Sequence, residues 1–209
     1  MKTPLGVYFS TGRLADEQLP PRYGTGALPI NYPNAWDTRQ GYTGNGIWLH
    51  GSPKDTFSRP PKASEGCLSL TNAHFTELDG IVDFEATPVL IGTQFEWLDQ
   101  ATWEKQQEKY QQLVENWRTD WQSLNMDSYL SHYSQSFNNG AQNYDRFVDH
   151  KRKVNSRKTY INVELEDLSI YQYPDNPDLF VATFNQNYSS DNYSGSDMKR
   201  QYWVRENDQ

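Results

Sequence analysis

Only one cysteine, Cys67, occurs in the 209 residues. An internal disulfide and a multi-cysteine zinc or iron–sulfur site are therefore excluded. No run approaches the 18 apolar residues of a membrane-spanning helix. The opening Met1-Lys2-Thr3-Pro4-Leu5-Gly6 has no apolar stretch of the kind a signal peptide carries. Positive charge is scarce as well. Residues 1–100 hold seven basic and eleven acidic side chains, within a net charge of -8 for the chain. Phosphate binding needs a basic footprint, so a nucleic-acid partner is not expected. Four scattered histidines form no metal signature, and neither a metal nor a cofactor is expected. Hydrophobic residues make up 35%, but aromatics at 14% argue against wholesale disorder, because each ring buries a large area.

Punctuation divides the chain. Nine of the 11 prolines lie at or before Pro88. Up to about residue 92 the pattern is short strands between turns, such as Gly6–Phe9, Gly46–Leu49 and Pro88–Gly92. A short helix is expected from Asn72, with Asn72 as its cap. Residues 96–124 contain neither proline nor glycine. There Tyr110, Leu113, Val114, Trp117, Trp121 and Leu124 recur at helical spacing, which predicts an amphipathic helix. Shorter helices are expected over 126–133 and 143–155. The period then changes to two at Ile161, Val163 and Leu165, and further strands are expected at 179–188 and 198–205. Helices followed by antiparallel strands make an α+β pattern. The expected division is 1–93, a linker or helix start over 94–106, and 107–209. The basic run Lys151-Arg152-Lys153 reads as a solvated helix face. His132 and His150 read as structural or surface residues. Both ends of the chain sit on strand signals, which reads as a trimmed protein.

The densest polar cluster is His50-Gly51-Ser52, followed by a loop and Ser64-Glu65-Gly66-Cys67-Leu68-Ser69. His50 closes the apolar stretch Ile47–Leu49, and a 17-residue step lets the chain fold back to bring Cys67 against it. Such a pair forms a thiolate–imidazolium couple, which arms the sulfur as a nucleophile. Gly66 permits close approach of a substrate carbonyl, and the amides around Gly66 and Cys67 are candidate oxyanion donors. Arg59 and Lys62, in the intervening loop, are candidate holders of substrate carboxylates. A buried structural thiol is the alternative reading of Cys67.

At these residues the sequence resembles the YkuD-type L,D-transpeptidase catalytic domain. His50-Gly51, the gap, and Ser64, Gly66, Cys67 and Leu68 match its pattern. Lys2-Thr3-Pro4-Leu5-Gly6-Val7-Tyr8 and Asn31-Tyr32-Pro33-Asn34 match two further segments. The resemblance implies a mostly β, sandwich-like catalytic domain with Cys67 as nucleophile and His50 as base. It also implies that the Gly51 main-chain carbonyl orients His50. Glu65 stands where the family often has a second histidine, and Ser69 where it often has arginine. With Ser64, these two residues are expected to face the substrate.

The second half resembles the NTF2-like domain of the Cds6 group. The matching stretches are Trp117-Arg118-x-Asp120-Trp121, Tyr129-Leu130-x-x-Tyr133-Ser134, His150-Lys151-x-x-Val154-Asn155 and Gln201-Tyr202-Trp203. This implies an α+β domain with a curved antiparallel sheet and a role in binding or in forming a homodimer. Together the resemblances imply acyl transfer on a peptidoglycan tetrapeptide in the periplasm or cell envelope, with a role in cell shape. An amine acceptor gives a transpeptidase and water gives an L,D-carboxypeptidase. A non-catalytic fragment, or a binding module built on the NTF2-like half, is the competing expectation. A papain-like protease is disfavoured, because that class places cysteine before histidine.

Overall fold

A computed structural model describes residues 2–60 and 63–206 of the chain. The chain forms two compact units, residues 1–94 and 95–209.

In the first unit, β1 (Gly6–Phe9) pairs antiparallel with β6 (Pro88–Ile91), so the two ends of the unit meet. A second sheet has the order β2 (Leu14–Ala15), β3 (Gly26–Pro29), β4 (Trp48–His50), β5 (Leu68–Ser69). Its last pair is parallel. Tyr8, Leu28, Ile30, Ile47, Leu49, Phe75 and Ile91 form the core. Helix α1 (Ala35–Arg39) begins with a reciprocal cap. Asn34 Oδ1 accepts from the Asp37 amide at 2.9 Å, and Asp37 Oδ2 accepts from the Asn34 amide at 3.0 Å. Asn34 Nδ2 also donates to the Val7 carbonyl at 3.1 Å, and Tyr8 Oη donates to Asp37 Oδ1 at 3.3 Å. These bonds satisfy a carboxylate that is only 2% exposed. Helix α2 (Asn72–Asp79) is capped by Thr71, whose Oγ1 accepts from the His74 amide at 3.2 Å. Asn72, the expected cap, instead accepts from the Thr25 amide at 3.2 Å. A tertiary contact has taken the residue one position past the local cap. His74 is exposed on this helix.

The second unit carries helices α3 (Gln100–Gln122), α4 (Met126–Ser131) and α5 (Tyr144–Asn155). They precede an antiparallel sheet of β7 (Ile161–Gln172), β8 (Leu179–Ser190) and β9 (Tyr193–Val204). Asp99, Asn125 and Asn143 cap the three helices with side-chain oxygens. Tyr110, Val114, Trp117 and Trp121 bury the apolar stripe of α3. Each such side chain contributes roughly 1.5–3 kcal/mol by leaving water, which outweighs the weak intrinsic order of the Gln-rich opposite face. Leu113, expected on that stripe, is 38% exposed. Tyr110 stacks on Phe180 at 4.4 Å, and Trp117 Nε1 donates to Tyr133 Oη at 3.0 Å.

The outer side of β7 is served by α3. Arg118 Nη1 donates to the Val163 carbonyl at 3.1 Å, and Gln122 Oε1 accepts from the Val163 amide at 2.6 Å. His132 Nε2 lies 2.7 Å from Asp120 Oδ2, while His150 is exposed. The basic run on α5 is only partly a solvated face. Lys151 is half-buried, with its ammonium 4.4 Å from the Trp121 ring, 5.5 Å from Phe147 and 5.8 Å from Tyr129. Burial, and then the charges of Lys199 and Lys158, push its pKa down to about 8.

Candidate active site

His50 ends β4, where strand alternation sends Trp48 and His50 to one face and Leu49 to the core. It is held on both sides. Its register partner on β3 is Ala27, and its carbonyl accepts from the Leu70 amide at 2.8 Å. The imidazole is 1% exposed. Its Nδ1 lies 2.6 Å from the Gly51 carbonyl oxygen. A carbonyl only accepts, so Nδ1 carries the hydrogen and Nε2 keeps its lone pair. Burial lowers the pKa of His50. The Gly51 carbonyl opposes this, and the charges of Arg59 and Arg22 reinforce it. The resting side chain is therefore a neutral imidazole, which disfavours the expected imidazolium partner before any reaction begins.

Cys67 is half-buried and immediately precedes β5. The parallel register pairs Leu49 with Leu68 and His50 with Ser69. Cys67 stands one residue before this register begins. The thiol donates to the Gly46 carbonyl at 3.3 Å. Among the described residues, no hydrogen bond joins Sγ to the imidazole. The structure thus brings the end of β4 beside the strand that Cys67 leads into, with the sulfur engaged elsewhere.

The turn into β5 is closed by Ser64, whose Oγ donates to the Cys67 carbonyl at 2.6 Å. Gly66 is buried at φ +117°, and a Cβ there would lie 2.9 Å from Ile47 Cδ1 and 3.3 Å from the Lys2 carbonyl oxygen. Backbone conformation and space both demand glycine at this position. Gly51 is equally confined, since a Cβ would fall 2.2 Å from Asn72 Oδ1. Ser52, fully buried, donates to the Leu70 carbonyl at 2.8 Å and ties the exit of β4 to that of β5. Glu65 and Ser69 are exposed. Arg59 is half-buried and close enough for its charge to act on His50. Lys62 lies outside the described residues.

Two neighbours of His50 carry no motif. Tyr23 meets the imidazole edge-on, with ring centres 5.0 Å apart at 86°, and lies 5.0 Å from Trp48. Arg22 covers the outer face of Tyr23 at 4.9 Å. The only local signal is the stiff Pro20-Pro21 pair before them; the contact with His50 is tertiary. Among the described residues, no group of three or more histidine, cysteine, aspartate or glutamate side chains is arranged to hold a metal ion. No helix there is long and apolar enough to cross a membrane. The arrangement offers a thiol, a neutral base with an oriented lone pair, and a glycine turn beside the thiol. That is the equipment of cysteine-dependent acyl transfer.

Comparison with known proteins gives two family matches. Residues 1–91 match the L,D-transpeptidase catalytic domain, YkuD, and residues 109–209 match the Cds6 C-terminal NTF2-like domain. Among solved structures, Bd1075 of Bdellovibrio bacteriovorus is similar at 30% identity and a TM-score of 0.88, over 99% of this chain and 75% of that one. The helical cell shape determining protein Pgp2 from Campylobacter jejuni is similar at 26% identity and a TM-score of 0.77, over 96% of this chain and 70% of that one. Its K307A mutant aligns at 25% identity and a TM-score of 0.78, over 96% and 69%. No curated protein matches the chain.

Proposed function

The chain belongs to the family that joins a YkuD-type L,D-transpeptidase catalytic domain to a Cds6-type NTF2-like domain, and from that premise we propose that it performs cysteine-dependent acyl transfer on peptidoglycan stem peptides. The observation that carries this reading is the His50 tautomer. A hydrogen on Nδ1, directed at the Gly51 carbonyl, leaves Nε2 as a base at the end of β4, beside the strand that Cys67 leads into.

The thiol leaves the Gly46 carbonyl and gives its proton to Nε2 of His50. Sulfur attacks the carbonyl at the L-centre of the third residue of a tetrapeptide. Amides around Gly66 and Cys67 hold the oxyanion. The imidazolium returns the proton to the nitrogen of the departing D-alanine as the C–N bond breaks, leaving a thioester on Cys67. An amine then attacks that thioester and loses its proton to Nε2, and the thiolate departs and is reprotonated. The product is a cross-link or another amide attachment. If water attacks instead, the product is a tripeptide and the enzyme is an L,D-carboxypeptidase. Ser64 braces the nucleophile's turn, and Arg59 and Lys62 supply positive charge toward the substrate. Glu65 and Ser69 border it. The work is done in the cell envelope, where the substrate lies, and serves cell shape, the property for which Pgp2 is named.

One observation favours a non-catalytic protein, namely the thiol bonded to Gly46 rather than to His50. Intact-mass spectrometry with a disaccharide-tetrapeptide separates the readings. A Cys67-borne acyl adduct with released D-alanine, absent in Cys67→Ala and slowed about 10²–10⁴-fold in His50→Ala, is expected. A folded protein that forms neither adduct nor product refutes the proposal. Tripeptide or cross-linked dimer identifies the acceptor.

A further inference from the structure

We propose that Arg22, braced on Tyr23, is the carboxylate anchor of this site and receives the C-terminal carboxylate of the donor peptide. The inference rests on the acyl-transfer reading and adds the substrate feature by which a donor is selected.

Arg22 sits in a one-turn segment, Pro21–Tyr23, that follows Pro20. Its guanidinium carbon lies 4.9 Å from the Tyr23 ring centre, and its Nη2 donates to Tyr23 Oη at 3.0 Å. Tyr23 in turn rests edge-on against the His50 imidazole and tilted against Trp48. The backbone after Tyr23 is pinned. Gly24 has φ +69°, and a Cβ there would lie 2.3 Å from the Ser52 carbonyl oxygen. The guanidinium is thus a prepositioned group on an otherwise flexible side chain, which reduces the ordering entropy lost when a ligand binds.

Its charge has no ion-pair partner among the described residues. Arg22 is solvent-exposed, and among the described residues no carboxylate pairs with it, although acidic side chains outnumber basic ones by 27 to 19. Arg59 adds a second cation that acts on the same imidazole, and it too has no ion pair among the described residues. Two guanidiniums without an ion pair among the described residues, both acting on the candidate base, make a field suited to an anion. One Nη2 hydrogen is turned to Tyr23, and the remaining guanidinium N–H groups are available to a carboxylate.

The spacing is of the order needed for a carboxylate one residue beyond the scissile carbonyl. One residue spans about 3.8 Å of chain, and an arginine–carboxylate pair adds up to about 4 Å. The path from the imidazole to the guanidinium runs through one ring, in steps of 5.0 and 4.9 Å. That reach and this path are of the same order, so the carboxylate of the terminal residue that leaves is the candidate ligand.

The test compares a disaccharide-tetrapeptide with its C-terminal amide on the full chain. Acylation of Cys67 is followed by intact mass, and binding to Cys67→Ala, which forms no thioester, by calorimetry. Wild type is expected to favour the free carboxylate roughly tenfold to a hundredfold in acylation, as a charge-assisted hydrogen bond implies. Cys67→Ala should show the same preference in binding. Arg22→Ala should bring the ratio close to one, and Arg22→Lys should restore part of it. A misfolded variant would lose both substrates, so the ratio reports the anchor alone. Equal use of the two substrates by wild type, or an undiminished ratio in Arg22→Ala, overturns the anchor. Carboxylate-dependent binding that requires Arg22, with no acyl adduct on wild type, sustains the anchor and refutes acyl transfer. Absence of both binding and acylation overturns both.

Discussion

Replacing Lys151 with methionine is expected to stabilise the second unit at neutral pH. The ammonium lies among Trp121, Tyr129 and Phe147, and among the described residues no carboxylate compensates it. Its pKa falls from 10.5 to about 8, chiefly through burial. That difference corresponds to about 3 kcal/mol of penalty on the charged form. Contact with the ring faces offsets the penalty by about 0.5–2 kcal/mol in the wild type and is lost in the variant. The net gain for Lys151→Met at pH 7 is therefore about 1–3 kcal/mol. The pH dependence gives a sharper test. Below about pH 8 the lysine is charged in both states, and the full penalty acts. Between about 8 and 10.5 the unfolded chain binds more protons than the folded one, so wild-type stability rises with pH. The variant has no such slope, and any tyrosine contribution is common to both proteins. Urea unfolding followed by the near-UV signal of the Trp117 and Trp121 environment, at pH 7 and 9.5, measures the gap. A gap that stays constant across that interval, or a variant less stable at pH 7, refutes the reasoning.

Three further outcomes are expected. The acid limb of Cys67 acylation should fall below pH 6.5, the ordinary imidazole value, because burial keeps His50 neutral; a limb above 6.5 in a pH–rate profile contradicts this. The same depressed pKa means the first unit loses stability as pH falls below about 6.5, because the unfolded imidazole takes up a proton that the folded one resists; His50→Gln should abolish that slope in denaturant titrations. Asn34→Ala removes both a helix cap and the bond to the Val7 carbonyl and should cost about 1–3 kcal/mol, read from the urea midpoint.

The helical face of α3 was legible because packing and sequence share one period. Tyr110, Val114, Trp117 and Trp121 recur every three or four residues and are the residues buried. The beginning of β9 was not legible. Tyr193–Asp197 is polar and exposed and pairs with β8 through its backbone, so no hydrophobic alternation marks it. Asn72 and Thr71 are both good caps, and only the Thr25 contact decides between them. Lys151 looked solvated because its neighbours are charged, whereas its aromatic partners come from three helices. In the candidate site, His50, Gly51, Gly66 and Cys67 lie in two short segments and could be read as a pattern. Arg22 and Tyr23 reach His50 only through the fold, and no spacing rule records a ring contact of that kind.

The bonds from Arg118 and Gln122 to Val163 bear on self-association. A strand at the margin of a sheet displays unused amides and carbonyls, and another chain can copy its register there. At Val163 both groups are already occupied, by side chains one helical turn apart on α3. A second molecule docking at this position must first displace a guanidinium and a side-chain amide. The helix therefore acts as a guard against fibrillar pairing as well as a packing partner, and its polar residues contribute to solubility through the backbone they shield.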